Sequence, residues 1–397
     1  PHYNGMFSMV LRIFVRLDNI MRCDCVRILD LTLLLGRCGV CYVRLWKHPE
    51  KRRLAARPAL KRRACLRMLH DEVLLGDWHV VARSDEVREG KVLSRRLLGE
   101  DLVLWRPNGD EGPVVVWQYL CIHRGARLSM GSVRREADGS CTLLCPYHGW
   151  RYDRTGMCVH IPAHPDQRPP SRARAQAYAV QERYGLVWVC LGEPRTEIPP
   201  FPEWDDPSFR KVACGPYHYA ASGPRAIENF LDVAHFPFVH GGLLGDESRP
   251  EIQEYDVVVD ENGIEAKDIS VWQPDPDGTG HGKWVTYTYR VPRPFSAYLA
   301  KESDEKRFAL FFTVTPVSEL ESIAWAWVTM NYAHEMSDEE VRSFQDQVTG
   351  QDVPVVESQR PELLPLDLQA ELHLRSDRTA IAYRKWLREL GLSFGVA

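Results

Sequence analysis

Hydrophobic and polar positions change rhythm along this chain, and the changes outline its elements. From Leu69 onward apolar residues come in short β-type runs. Asp77 to Ala82, Leu102 to Trp105 and Val114 to Leu120 are rich in β-branched and aromatic residues and are flanked by Gly, Pro, Asn or Asp, which predicts strands. Tyr184 to Cys190 is a further strand, and the Pro-rich stretch Ile198 to Pro202 reads as an interdomain connection. Beyond it, Pro224 to Val239 is compatible with helix. Strands follow over Glu254 to Val259, Lys283 to Val291, Arg307 to Val317 and Ile323 to Met330. Ser337 with Glu340 forms a capping-box pattern that opens a helix over Asp338 to Val348. Ser376 heads a second helix over Asp377 to Leu390, with Gly391 as its stop. The pattern is α+β: a small all-β domain over 68–195, then a mixed domain over 196–397. There are no repeats and no G-x-G-x-x-G or Walker-type loop, so the chain shows no nucleotide-binding fold of its own.

Composition changes this picture at one end only. The 397 residues are 44% hydrophobic and 26% charged, which suits a globular protein able to bury a full core. The net charge of −4 conceals a division. Residues 1–67 hold 15 Lys/Arg against 4 Asp/Glu (+11), and the remainder holds 35 against 50 (−15). The basic segment also carries five of the 11 cysteines. Its most apolar run, Val26 to Leu35, is interrupted by Arg27 and Asp30 and is too short for the roughly 18 apolar residues of a membrane span. The clusters Lys51-Arg52-Arg53 and Lys61-Arg62-Arg63 have no nucleic-acid module around them. Cys38 and Cys41 form a lone C-x-x-C without a second ligand pair. Three readings compete for 1–67: translated upstream sequence before a start at Met68, a leader, or a basic arm. The first is favoured, and removal of the segment is expected to leave iron content and turnover unchanged. Neither a nucleic-acid nor a membrane partner is expected.

Two constellations carry the chemistry. The first is Cys121-Ile122-His123-Arg124-Gly125 with Cys145-Pro146-Tyr147-His148-Gly149-Trp150, a C-x-H-x21-C-x2-H spacing. Zinc fingers group Cys with Cys and His with His, whereas each pair here mixes a thiolate with an imidazole. That interleaving suits a two-iron cluster with Cys on one iron and His on the other, which is the Rieske [2Fe–2S] arrangement. Zinc binding or a chance arrangement is the competing reading. The stretch resembles the Rieske family, including Tyr152-Asp153 and Gly156 downstream. Its gap between the pairs is longer than the family's usual one, and the extra length surrounds Asp138-Gly139, a hairpin-turn dipeptide. Cys141, Cys158 and Cys190 are expected to be structural.

The second constellation is Asn229, Asp232, His235 and His240, an N-x2-D-x2-H-x4-H spacing. Asp232 and His235 stand three apart, as on one helical face, and Pro237 would disturb the helix before His240. Two His with one carboxylate form the facial triad of non-haem Fe(II) oxygenases. The segment resembles the catalytic domain of Rieske oxygenases. The resemblance makes His235 and His240 iron ligands, Asp232 the residue that carries electrons between the two centres, and Asn229 its neighbour in the site. It places the third ligand on a late helix, at Asp352, with Asp346 as runner-up and Glu357 as a poorer candidate.

The resemblance to Rieske oxygenase large subunits runs from about Met68 to Ala397. It is strongest to single-component-type monooxygenases, hydroxylases and demethylases and to saxitoxin-pathway Rieske hydroxylases. It implies a helix-grip type catalytic domain, one [2Fe–2S] cluster and one mononuclear Fe(II) per subunit, and dioxygen as co-substrate. The substrate is expected to be a small aromatic or polycyclic molecule, hydroxylated or O/N-demethylated. Electrons are expected from a separate reductase or ferredoxin. The implied assembly is a head-to-tail homotrimer in which His148 or His123 of one chain faces Asp232 of its neighbour. A Rieske electron carrier without oxygenase activity is the alternative from another class. Trp272, Trp284, Tyr287, Tyr289, Trp325 and Trp327 are candidates for the pocket wall, although core packing is the commoner role for such residues. Thiolate ligands and the lack of a disulfide framework favour the cytoplasm.

Overall fold

The computed structural model describes residues 71–276, 279–303 and 305–397. The expectations for the basic segment, including Met68 and the Cys38/Cys41 pair, lie outside the described residues. The body opens on a one-turn helix, α1 (Glu72–Leu75), whose first turn is capped by the Asp71 carboxylate accepting from Leu74 N at 3.0 Å. Ten short strands follow: β1 (His79–Arg83), β2 (Val92–Leu97), β3 (Glu100–Trp105), β4 (Val115–Gln118), β5 (Ser132–Arg135), β6 (Cys141–Leu144), β7 (Arg151–Tyr152), β8 (Cys158–His160), β9 (Ala179–Arg183) and β10 (Leu186–Cys190). They form three small antiparallel sheets in the orders β1-β10-β9, β2-β3-β4 and β5-β6-β7-β8. The turn between β5 and β6 closes with Gly139 at φ 84°, a conformation that favours glycine, so the Asp138-Gly139 dipeptide turns the hairpin as expected.

The second half is built on one antiparallel sheet of seven strands. These are β11 (Arg210–Tyr219), β12 (Asp256–Asp260), β13 (Gly263–Gln273), β14 (Lys283–Arg293), β15 (Ser296–Ser303), β16 (Lys306–Ser318) and β17 (Glu321–Met330). Their order is β11-β17-β16-β15-β14-β13-β12. Because side chains alternate across a strand, register decides which of them share a face. Tyr289 pairs with Leu299 and Leu299 with Leu310, while Tyr287 pairs with Lys301 and Lys301 with Phe308. These two cross-strand rows make one continuous face, and the cavity described below lies on it.

Four helices accompany the sheet: α2 (Gly223–Leu231), α3 (Phe236–Val239), α4 (Asp338–Ser358) and α5 (Arg378–Leu390). The Ser337 capping box forms as the sequence predicts, and α5 ends at Gly391 in the left-handed region. The helix expected to end at Val348 runs ten residues further, through Gly350 and Pro354. Val348, Thr349 and Val356 are buried along one side of it, and that packing outweighs the backbone hydrogen bond that Pro354 removes.

The two halves belong to one compact unit. One apolar core spans both halves, running from Leu74, Val81 and Leu104 into Tyr289, Phe312 and Leu387. The junction is also hydrogen-bonded: Leu98 N donates to Pro316 O at 2.7 Å, Gly99 N to Val317 O at 2.9 Å, and Arg83 Nη2 to the carbonyls of Cys214 and Gly215 at 3.0 Å. Among the described residues no helix is long and apolar enough to cross a membrane.

Two candidate metal centres

The first constellation lies on two loops of the same design. In each, the cysteine N–H donates to the carbonyl five residues on (Cys121 to Ala126 at 2.8 Å, Cys145 to Trp150 at 2.8 Å). In each, a glycine returns a bond to that cysteine (Gly125 N to Cys121 O at 2.9 Å, Gly149 N to Cys145 O at 3.1 Å). Gly125 and Gly149 have φ of 68° and 69°, which a residue with a side chain adopts only under strain. A Cβ on Gly149 would also stand 3.0 Å from Pro162.

The loops bury both sulfurs, whereas the imidazoles face outward. Cys121 and Cys145 are 3% and 1% exposed and belong to the apolar core of this half. His148 is exposed, and its ring lies 4.6 Å from that of His123. Trp150 stacks on His123 at 4.3 Å, and Tyr147 lies against His148 at 3.9 Å. Burial pushes the Cys145 thiol up, and the neighbouring Cys121 adds to the shift. The phenol of Tyr152, also raised chiefly by burial, sits 3.0 Å from Cys121 Sγ. His123 Nδ1 is buried and has no hydrogen-bond partner. Two inner sulfurs, two outer imidazoles and an orphaned ring nitrogen between them form a donor set that fits a two-iron cluster with mixed ligation. Cys141, Cys158 and Cys190 are buried free thiols outside this set.

The second constellation is assembled from three segments. Helix α2 ends at Leu231, so Asp232 is its C-cap in extended conformation (φ −86°, ψ 122°). This differs from the expected helical pairing of Asp232 with His235. The Asp232 carboxylate instead accepts from Ala234 N at 2.7 Å and so starts a new turn, a local bond that competes with continuing the helix. His235 and His240 are the N-cap and C-cap of the one-turn helix α3, with Pro237 in its first turn. Chain packing holds the turn closed, because a Cβ on Gly245 would meet Pro237 N at 2.5 Å.

Helix α4 brings Asp352 to these imidazoles. Its Oδ1 lies 3.3 Å from His235 Nε2 and 3.1 Å from His240 Nε2, and the two Nε2 atoms are 3.2 Å apart. Ligands about 2.1 Å from an ion and mutually at right angles are separated by about 3.0 Å, so this near-equilateral triangle fits one face of a six-coordinate ion. Burial works against a charged His235, but the Asp232 and Asp352 carboxylates outweigh it and raise its pKa to about 9. Burial likewise opposes the Asp352 anion, and the two imidazoles nonetheless hold its carboxyl below the usual range. Both directions describe a site that favours a cation. Asn229 Nδ2 donates to Asp352 Oδ1 at 3.4 Å, and Asp232 Oδ2 stands 3.6 Å from His235 Nδ1, beyond hydrogen-bond reach. The two other carboxylates weighed from sequence are engaged elsewhere. Asp346 accepts from Tyr217 Oη at 2.7 Å, and Glu357 accepts from Ala220 N at 2.7 Å.

Asn229 and His235 separate two cavities and line both. One, of about 100 Å³, is apolar and aromatic and reaches His240 and Asp352. Its walls include Tyr287 and Tyr289 together with Phe230 and Phe312, whose rings stack at 4.6 Å and 3°. The other, of about 280 Å³, is more polar, with Asp232, His373 and Arg384 set among apolar residues such as Val355 and Leu372 in its lining. Of the six aromatic residues singled out from sequence, Tyr287 and Tyr289 are the ones that reach the apolar cavity. Trp272 packs on Trp284 at 5.8 Å, Trp327 on Trp204 at 5.0 Å, and Trp325 donates to Thr315 at 2.8 Å. Sequence reasoning missed Phe230, Phe312 and Gln351, whose residue types carry no spacing signal.

Comparison with known proteins agrees with both centres. Residues 77–179 match the family described as Rieske [2Fe-2S] domain, and residues 219–392 match that described as Vanillate O-demethylase oxygenase C-terminal domain. The chain is 34% identical over 341 residues to methylxanthine N1-demethylase NdmA of Pseudomonas putida, a match covering 80% of this chain and 90% of that protein. It is 32% identical over 343 residues to methylxanthine N3-demethylase NdmB of the same organism, with 82% and 92% covered. The solved structure of Pseudomonas putida CBB5 NdmA with caffeine superposes at a TM-score of 0.70 and 32% identity, covering 80% of this chain and 91% of that one. These matches decide against the zinc and electron-carrier readings. The chain belongs to the Rieske non-haem iron oxygenases and is a terminal oxygenase of that family, with a [2Fe–2S] cluster and a mononuclear iron as its cofactors.

Proposed function

We propose that Cys121, His123, Cys145 and His148 hold the cluster, and that His235, His240 and Asp352 hold the mononuclear iron beside a cavity that takes a flat, methylated aromatic or heteroaromatic substrate. The observation that carries this reading is the His235–His240–Asp352 triangle opening on an apolar, aromatic-walled cavity. The stacked Phe230 and Phe312 rings suit a planar guest. Relatives named as methylxanthine demethylases favour removal of an N-methyl group. When bound, the iron supplies activation of dioxygen, with electrons that reach it through the cluster from a separate reductase or ferredoxin.

The side chains divide the remaining work. The apolar wall excludes water and orients the ring, and Asn229 steadies the Asp352 carboxylate. Asp232, fixed by its bond to Ala234 N, presents its second oxygen between His235 and the polar cavity, which suits a relay toward the iron. The neighbouring surface fits a second copy. Ile122 and Tyr147 on the cluster loops are 46% and 65% exposed, and Val355 and Leu372 beside Asp232 are 43% and 87% exposed. Two different apolar faces on one chain suit a heterologous ring, here a homotrimer. The six cysteines among the described residues are all free thiols, in keeping with the cytoplasm. The domain limits that suit this division are 68–195 and 196–397.

The test is iron analysis with turnover. The purified chain should hold three irons and, with a reductase, release formaldehyde from an N- or O-methylated member of a panel containing caffeine and vanillate. His235→Ala should keep the cluster, lose the third iron and abolish turnover. A variant that keeps full turnover would refute the assignment. Asp232→Asn should keep all three irons and turn over roughly a hundredfold more slowly.

A further inference from the structure

Two consecutive residues of α4 grip one imidazole from opposite sides. Asp352 Oδ1 lies 3.1 Å from His240 Nε2, and Gln351 Oε1 lies 2.8 Å from His240 Nδ1. Neighbouring residues on a helix point about 100° apart, so they reach the same small ring only when it is wedged edge-on between them. The His240 ring is in that position and is 1% exposed. His235 has no such grip, because its Nδ1 is buried without a hydrogen-bond partner and faces Asp232 at 3.6 Å.

We infer that Gln351 is the positioning residue of the mononuclear site, fixing His240 in the Nδ1–H tautomer so that Nε2 presents its lone pair beside Asp352. The inference rests on the proposed ligand set. A neutral imidazole carries one proton, and an Nε2 that binds a cation requires that proton on Nδ1. Gln351 must then offer its carbonyl oxygen, and at 2.8 Å it accepts the Nδ1–H. A metal-bound imidazole commonly donates its other N–H to an acceptor that sets tautomer and ring angle. Here that acceptor is a neutral amide on the same helix as the carboxylate ligand. One element therefore aligns two of the three ligands, while His235 Nδ1 has no hydrogen-bond partner on the side facing Asp232.

The experiment uses the full chain with its cluster intact and the mononuclear site depleted of iron, titrated with Fe(II) against a competing chelator. Co(II) absorption serves as a second probe of coordination. Gln351→Leu, which has no acceptor, should weaken Fe(II) binding roughly 10- to 100-fold and alter the Co(II) spectrum, with the cluster's EPR signal unchanged. Gln351→Met, matched in length, should do the same and guards against a packing defect peculiar to Leu. Gln351→Glu keeps an acceptor and should bind Fe(II) as tightly as wild type or more tightly. Loss of binding in Gln351→Glu, or Leu and Met variants within twofold of wild type, would overturn the inference. His240→Ala serves as the control for the ligand set itself. Unchanged Fe(II) binding in that variant would remove the ligand assignment, whatever the Gln351 variants do.

Discussion

Arg384 and Glu228 are joined by two charge-assisted hydrogen bonds, at 2.5 and 2.8 Å, that tie α5 to α2 one residue before Asn229. Arg384 also reaches Glu371 at 2.5 Å, and Glu371 in turn reaches Arg225 at 2.8 Å. The Arg384 and Arg225 side chains are 3% and 1% exposed. Removing Arg384 leaves Glu228 and Glu371 to share Arg225, so one buried negative charge is uncompensated, which costs far more than the pairing itself contributes. Arg384→Met should lower stability by roughly 3–5 kcal/mol, measured by denaturant unfolding.

The same network sets a pH dependence. Burial works to raise the Glu371 pKa, but Arg225 and Arg384 overcome it and hold it below the usual carboxylate range. A group depressed in the folded state stabilises the fold above its ordinary pKa, and that stability is lost as pH falls through the folded value. The wild-type melting temperature should therefore fall as pH drops below the ordinary carboxylate range of about 4–5. Glu371→Gln should start lower at neutral pH and show a flatter profile across that window. Parallel profiles for the two proteins would refute the assignment.

The proposed ligation by Cys121 gives Tyr152 a role in tuning the cluster, through the 3.0 Å contact between its phenol and Cys121 Sγ. With iron bound the sulfur is a thiolate, so the phenol donates, and that bond strengthens as the cluster gains an electron. A difference of about 1 kcal/mol between the two redox states corresponds to roughly 40 mV for one electron. Tyr152→Phe should lower the midpoint potential by an amount of that order, read in a redox titration followed by EPR.

Tyr289 gives the opposite kind of prediction. Its ring is 1% exposed and its hydroxyl has no hydrogen-bond partner, a condition that costs about 1–3 kcal/mol. Tyr289→Phe should leave the melting temperature unchanged or raise it in substrate-free protein. A clear fall would show that the hydroxyl is satisfied.

The four residues proposed to hold the cluster could be picked out from the sequence, because metal ligation needs rare residue types at fixed spacing and a glycine at each tight turn. Cys121, His123, Cys145 and His148 announce themselves by type and interval alone. The second centre was half legible. His235 and His240 stand out by proximity, but the local path between them does not, since the Asx bond from Asp232 to Ala234 N ends the helix where periodicity alone would continue it. Asp352 could be singled out only through resemblance. One carboxylate among many on a helix carries no local signal, and its meaning comes from tertiary packing of α4. Gln351 was hidden for the same reason, and so were Phe230 and Phe312, whose stack joins a helix to a strand far away in sequence.

Asn229 and His235 are shared by two cavities, one apolar and aromatic, the other mixing apolar side chains with Asp232, His373 and Arg384. Under the proposed function, substrate would meet the iron from the aromatic side, and electrons would reach it from the side of Asp232. The sheet residues Tyr287, Leu299 and Phe312 line the aromatic cavity and not the other. A scaffold divided in this way can acquire a new substrate through changes on a few strands and still accept the same electrical supply.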